Sequence, residues 1–75
     1  MYDYSKGENL ASDIITDKIR VSTAMFPGDH GNGFETWIFS DDARQNSVQI
    51  WHRTKQAALK VHRYVTQNMR QKYCA

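Results

Sequence analysis

Few side chains in this sequence have the chemistry for catalysis or metal binding, and their spacing argues against both. His30 falls in a Gly-rich stretch, His52 near the end of an alternating segment, and His62 inside a helical one. No two histidines are three or four residues apart, so the helical pairing that holds a metal is missing. A site could still be assembled in space from His52, His62 and an acid such as Asp41. His62 borders an apolar stripe, however, which predicts a hydrogen-bonded, partly buried structural side chain. Cys74 is the single cysteine, so neither an internal disulfide nor a Cys-rich zinc site can form. Nothing beside it activates a nucleophile. The stretch from Gly28 to Gly33 has the glycines of a phosphate loop but lacks the Gly-Lys-Ser/Thr ending, and Asp29 would repel a phosphate. Asp41 and Asp42 are adjacent on a turn and do not converge as a glycosidase pair must. The expectation is a non-enzymatic chain with no catalytic residue, no metal site and no cofactor.

Binding is the better-supported chemistry. Trp37, Phe39 and Trp51 supply aromatic surface, and Arg53, Lys60 and Arg63 supply positive charge nearby in the sequence. These six are the candidate binding residues. The charge is unevenly placed. All eight acids lie in residues 1–42 with three basic residues, a net −5, whereas residues 43–75 carry seven basic residues and no acid, giving the +2 total. Three uses of that asymmetry are open: neutralisation within the fold or across a dimer, contact with a nucleic-acid backbone, or docking to an acidic protein. A total of +2 is weak for a nucleic-acid binder. No helix-turn-helix, zinc-finger spacing or RNA-recognition strand motif accompanies it. Aromatic residues on a sheet could nonetheless stack bases, so nucleic-acid binding is the alternative function.

The elements that must position these residues follow from periodicity. Residues 1–17 are mixed, and Leu10, Ile14 and Ile15 suggest an arm or a short N-terminal helix. From Lys18 to Phe26, Ile19, Val21, Thr23 and Met25 alternate with Arg20, Ser22, Ala24 and Phe26, which predicts a strand. Residues 27–33 hold the one proline and three of the four glycines, and read as a loop. Residues 34–40 and 47–53 read as two more strands, joined by a polar turn over 41–46. At Thr54 the period changes to helical, with Thr54 as N-cap and Ala58, Val61, Val65 and Met69 as a docking stripe. The fold class is therefore α+β: an N-terminal arm over 1–17, then one β-β-β-α domain over 18–75 with a three-stranded antiparallel meander.

Pairing 34–40 with 47–53 so that partner numbers sum to 88 puts Trp37 opposite Trp51 and Glu35 opposite Arg53. Ile38 then faces Ile50 on the other side. Ile38, Val48 and Ile50, with Ile19, Val21 and Met25, form the natural seat for the helix. Trp37, Phe39 and Trp51 then face outward; the opposite assignment would put the aromatics under the helix and expose the aliphatics. One helix cannot cover both faces, so the remainder must meet the N-terminal arm, a second copy of the chain, or another partner.

Two short patterns resemble a known group. The strand Glu35-Thr36-Trp37-Ile38-Phe39 is similar to a Glu-Thr-x-x-Phe strand, and Thr54, Ala58 and His62 are spaced as in a Thr-led helix with Ala and His at four-residue steps. Together, over residues 34–66, they resemble small proteins encoded by tailed bacteriophages. Gln56 and Ala57 stand where those proteins carry acids, and Val61 where they carry Gly, so this helix is more basic. The resemblance implies a phage or prophage origin and a β-β-α core, and assigns no activity.

At 75 residues and 8.7 kDa there is room for one small domain with a thin core. No run of 18 apolar residues is present, so no membrane partner is expected. Asp3, Glu8, Asp13 and Asp17 break up the first 20 residues, so no secretory leader is expected either. The expectation is a small accessory protein in the cytoplasm of a bacterial host, acting by protein–protein binding. Its partners would be a second copy in a homodimer, or a host or phage protein.

Overall fold

A computed structural model of the chain describes residues 1–74. Four strands, β1 (Glu8–Thr16), β2 (Ile19–Phe26), β3 (Gly33–Ser40) and β4 (Val48–His52), form one antiparallel sheet in sequence order. A 19-residue helix, α1 (Lys55–Tyr73), follows and crosses one face. The α+β class and the meander agree with the sequence pattern, but the sheet has four strands and not three. The fourth comes from the segment expected to be an arm or a short helix. Residues 8–16 pair along β2, with register shifts between Asn9 and Ala11 and between Ile14 and Thr16. Those shifts disturb the simple alternation that marks a strand, so the apolar residues mimic helical spacing. They also twist an otherwise exposed sheet edge.

The helix begins where the period changes. The Thr54 hydroxyl accepts from the Ala57 amide at 3.1 Å, and the Thr54 carbonyl takes the Ala58 amide at 3.0 Å. At the other end Arg70 and Lys72 complement the exposed carbonyls, and the Cys74 thiol donates to the Ile15 carbonyl at 2.9 Å. The core lies between helix and sheet: Ile15, Ile19, Val21 and Ile38 are buried, with Val65, Met69 and Tyr73 packed on them. The docking stripe is rotated slightly from expectation. Ala58, His62 and Thr66 are its buried line, and Val61 is only half-buried.

The β3–β4 register also differs. Glu35 pairs with Trp51, Trp37 with Gln49, and Ile38 with Val48. Partner numbers sum to 86, a slip of two residues, so every side chain keeps its expected face while its partner changes. The turn explains the slip. The Ser47 hydroxyl accepts from the Ser40 amide at 3.0 Å, and Asp42 accepts from the Arg44 backbone and guanidinium. Side chains therefore fill the rungs that backbone pairing would otherwise have taken.

The N-terminal seven residues fold back. The Met1 amine meets Asp29 at 3.2 Å, and the Asp3 amide donates to the Pro27 carbonyl at 2.7 Å. Tyr2 lies against the loop glycines: a Cβ on Gly28 would stand 2.6 Å from its ring. The Gly-rich loop is thus the seat of an aromatic side chain. Gly31, at φ +125°, makes its turn.

Candidate functional site

Alternation along the strands sorts the sheet into two surfaces of different chemistry. On the side away from the helix, Ile14 pairs with Arg20 and Arg20 with Phe39. In the next row Ser22 pairs with Trp37, and Trp37 with Gln49. Trp37 and Phe39 are two apart on one strand and stack at 5.3 Å, with the Arg20 guanidinium 4.9 Å over Phe39. Trp51 stacks on Tyr2 at 5.7 Å, and Tyr4 packs edge-on against Phe26 at 4.9 Å. The arm therefore covers one end of this face and leaves the other open. Ile14 is 73% exposed, Trp51 44% and Phe39 39%, while Trp37 is half-buried. A hollow of about 530 Å³ opens beside Phe39, Arg20 and Ile14.

The six candidate residues do not form one site. Trp37, Phe39 and Trp51 share the open face, although Trp37 and Trp51 are diagonal rather than facing. The expected Glu35–Arg53 pair is replaced: Glu35 is buried on this face and accepts from the Gln49 side-chain amide. Arg53 lies at the end of β4 beside Trp51 and Tyr2. Lys60 and Arg63 are exposed on α1, on the far side of the sheet from the aromatics. An aromatic patch next to a basic helix is therefore not what the fold builds. α1 docks on the aliphatic side, and the sheet stands between the two sets.

The helix side holds an arrangement that periodicity alone does not show. A chain of hydrogen bonds crosses all four strands under the helix. His52 Nε2 meets the Thr36 hydroxyl at 2.9 Å, and Thr36 meets Thr23 at 2.8 Å. Thr23 meets His62 Nδ1 at 2.8 Å, and His62 Nε2 meets Asp13 Oδ2 at 2.7 Å. Arg70 then donates to Asp13 Oδ1 at 3.1 Å. Thr23 and Thr36 are fully buried and His62 is 3% exposed. The hydrogen bond from His62, helped by that from Arg70, holds the Asp13 carboxyl below the ordinary carboxylate range. Burial alone pushes His52 below its ordinary value of 6.5. His62 thus has the hydrogen-bonded structural environment its sequence position suggests. The acid joining the two histidines is Asp13, not Asp41, and two threonines stand between them. Reading β1 as a strand would have placed Asp13 beside Val21, on the helix side, and so revealed it.

Among the described residues no group of three or more His, Cys, Asp or Glu side chains could hold a metal ion. No helix there is long and apolar enough to cross a membrane. No family model, curated protein or solved structure matches this chain.

Proposed function

We propose that this chain is a small, non-enzymatic accessory protein that works by protein–protein binding, with the open sheet face as its docking surface and a second copy of the chain as occupant. The carrying observation is the partly uncovered aromatic row: Trp37 and Phe39 stacked on the sheet face opposite the one on which α1 docks. Large rigid aromatics of this kind supply most of the energy of protein interfaces. The charge on the face supports self-association. A two-fold contact sets the same patch against itself, so a patch of one sign would repel its copy. Here Arg20 lies over Phe39, and Glu35 is buried and hydrogen-bonded. The resemblance of residues 34–66 to tailed-phage proteins favours a phage or prophage source and the cytoplasm of the bacterial host as the working place.

The second reading is nucleic-acid binding by α1, favoured by its five basic residues and lack of any acid. The two readings respond differently to salt. Light scattering should give a mass near twice 8.7 kDa that persists as salt is raised. Tight binding of the chain to DNA or RNA that weakens steeply with salt, together with a monomeric mass, would favour the second reading.

A further inference from the structure

Beyond the docking reading, a cleft of about 430 Å³ lies at the end of β4, where it shares Trp51 with the open face, and is lined by Tyr2, Asn32, Trp51, His52 and Arg53. Among the described residues, Arg53 makes no salt bridge. His52 spends Nε2 on Thr36 and has Nδ1 left over. No acidic side chain lines the cleft. Arg53, His52 and Asn32 all line this one hollow beside the aromatic Tyr2 and Trp51, and guanidinium, imidazole and amide N–H groups are the donors that receive an oxyanion.

The chain behind His52 fixes what that free nitrogen offers. Each threonine hydroxyl has one proton. Thr36 and Thr23 must share one hydrogen between their oxygens, so the pair conducts hydrogen bonds in one direction or the other. Exactly one of the two histidines can then donate into the pair, and the other must accept. With Asp13 ionised, His62 Nε2 carries a proton and donates to it. A neutral His62 therefore accepts at Nδ1 from Thr23. Thr23 then accepts from Thr36, and Thr36 from His52 Nε2–H. In that state His52 Nδ1 is a bare lone pair, which repels an anion. A donor at Nδ1 arises in two ways. His52 takes up a proton and becomes imidazolium, with the chain unchanged. Alternatively His52 moves its own proton to Nδ1 and the chain reverses, so that His62 Nδ1 donates to Thr23 and the His62–Asp13 pair holds an added proton. Either route takes up one proton.

We infer that the His52–Arg53 cleft binds a small oxyanion, a carboxylate or a phosphate-type group, and takes up one proton with it. The charged and titratable groups around this unit are few. Tyr2 and Arg53 line the cleft itself. Asp13 from β1 and Arg63 and Arg70 from α1 surround His62 at the other end. Under the helix β2 and β3 present Thr23 and Thr36, and on the other face Glu35 of β3 stands directly opposite Trp51, its carboxylate held by Gln49.

The test is calorimetric titration of the whole chain with sulfate, whose charge is constant over the range, and separately with acetate, between about pH 5.5 and 8. Linkage to one proton predicts an affinity that falls about tenfold per pH unit above the titration of the unit. Tighter sulfate binding identifies a phosphate-type ligand, and tighter acetate binding a carboxylate; both support the site. Arg53→Ala, at an exposed position, should weaken either anion at least tenfold. Thr36→Val removes the hydroxyl that pins His52, so the remaining binding should lose most of its pH slope. Ring ¹⁵N shifts of the unliganded wild type at high pH should show His52 protonated at Nε2, a readout that does not depend on any variant folding. No binding of either anion, a pH-independent affinity, an Nδ1–H His52, or an unchanged response in Arg53→Ala would each overturn the inference.

Discussion

Under the helix, the sheet presents Thr23, Thr36, His52 and Asp13; away from it, Trp37, Phe39 and Trp51. The covered layer carries a polar chain beside its aliphatic core of Ile15, Ile19, Val21 and Ile38, and the large aromatic side chains are in the open one. The covered layer tolerates Thr23, Thr36, His62 and Asp13 because hydrogen bonds of 2.7–2.9 Å join them to one another and to His52, while the buried Thr66 hydroxyl of α1 has no partner among the described residues. The cost of burial is incurred by unpaired donors and acceptors, not by polarity itself. The open layer has no such closure: Trp51 is met by the arm and Trp37 by Phe39, but Phe39 and Trp51 stay partly exposed. The contrast teaches that polar side chains enter the covered layer of this small sheet, beside its aliphatic core, where hydrogen-bond partners meet them.

The covered layer is the easier one to break. His62→Ala would orphan Thr23 and the buried side of Asp13 and leave a cavity. The expected loss is about 3 kcal/mol or more, against a total stability on the order of 5 kcal/mol for so small a domain. Urea denaturation should show a largely unfolded variant. A loss under about 1 kcal/mol would mean that the chain of hydrogen bonds is ornamental.

The open layer should respond in assembly and only weakly in folding. Trp37→Ala with Phe39→Ala should weaken self-association by at least about 2 kcal/mol, roughly thirty-fold, in a dilution series followed by light scattering. If the variant instead unfolds, the aromatic row belongs to the folding core.

Acid separates the layers further. Asp13 has a folded-state pKa below the unfolded value of 3.8. Its contribution is complete above that value and is lost as pH falls through the lower, folded one. His52, depressed by burial, also favours the folded state when neutral, so its contribution declines as pH drops below 6.5. Thermal transitions should therefore fall in two stages on acidification. Asp13→Asn should remove the lower stage, and His52→Gln the upper. An unchanged acid limb in Asp13→Asn would contradict the pairing.

The smallest effect belongs to the helix surface. Lys60→Glu with Arg63→Glu alters exposed charges on the far side from the aromatics. Stability should move by less than about 0.5 kcal/mol per substitution and the assembly mass should not change. Loss of assembly in this variant would place the interface on α1.

Much of this arrangement was legible in residue order. The alternation of Ile19 to Met25, the Pro and Gly loop, and the shift of period at Thr54 identified β2, the loop and α1. The faces of Trp37 and Ile38 followed from alternation, and a two-residue slip in register left them intact. What was not legible depended on side chains acting as backbone. Ser47 and Asp42 close the β3–β4 turn and change the register. Bulges in β1 disguised a strand as a helix. Asp13 was hidden with β1, so the union of His52 and His62 through Thr23 and Thr36 had no visible end. The charge pattern suggested a basic surface beside the aromatics, and only the docking of α1 on the aliphatic side separates them.

The most direct test of the docking face is sedimentation equilibrium of the wild type and of Phe39→Glu at matched concentrations. Phe39 is 39% exposed, so a charge there can be solvated in a monomer and is buried in a face-to-face pair. The wild type should sediment at about twice 8.7 kDa and the variant at the monomer mass, with thermal transitions within a few degrees of each other. A monomeric wild type at high micromolar concentration, or a Phe39→Glu dimer as tight as the wild type, would contradict the account.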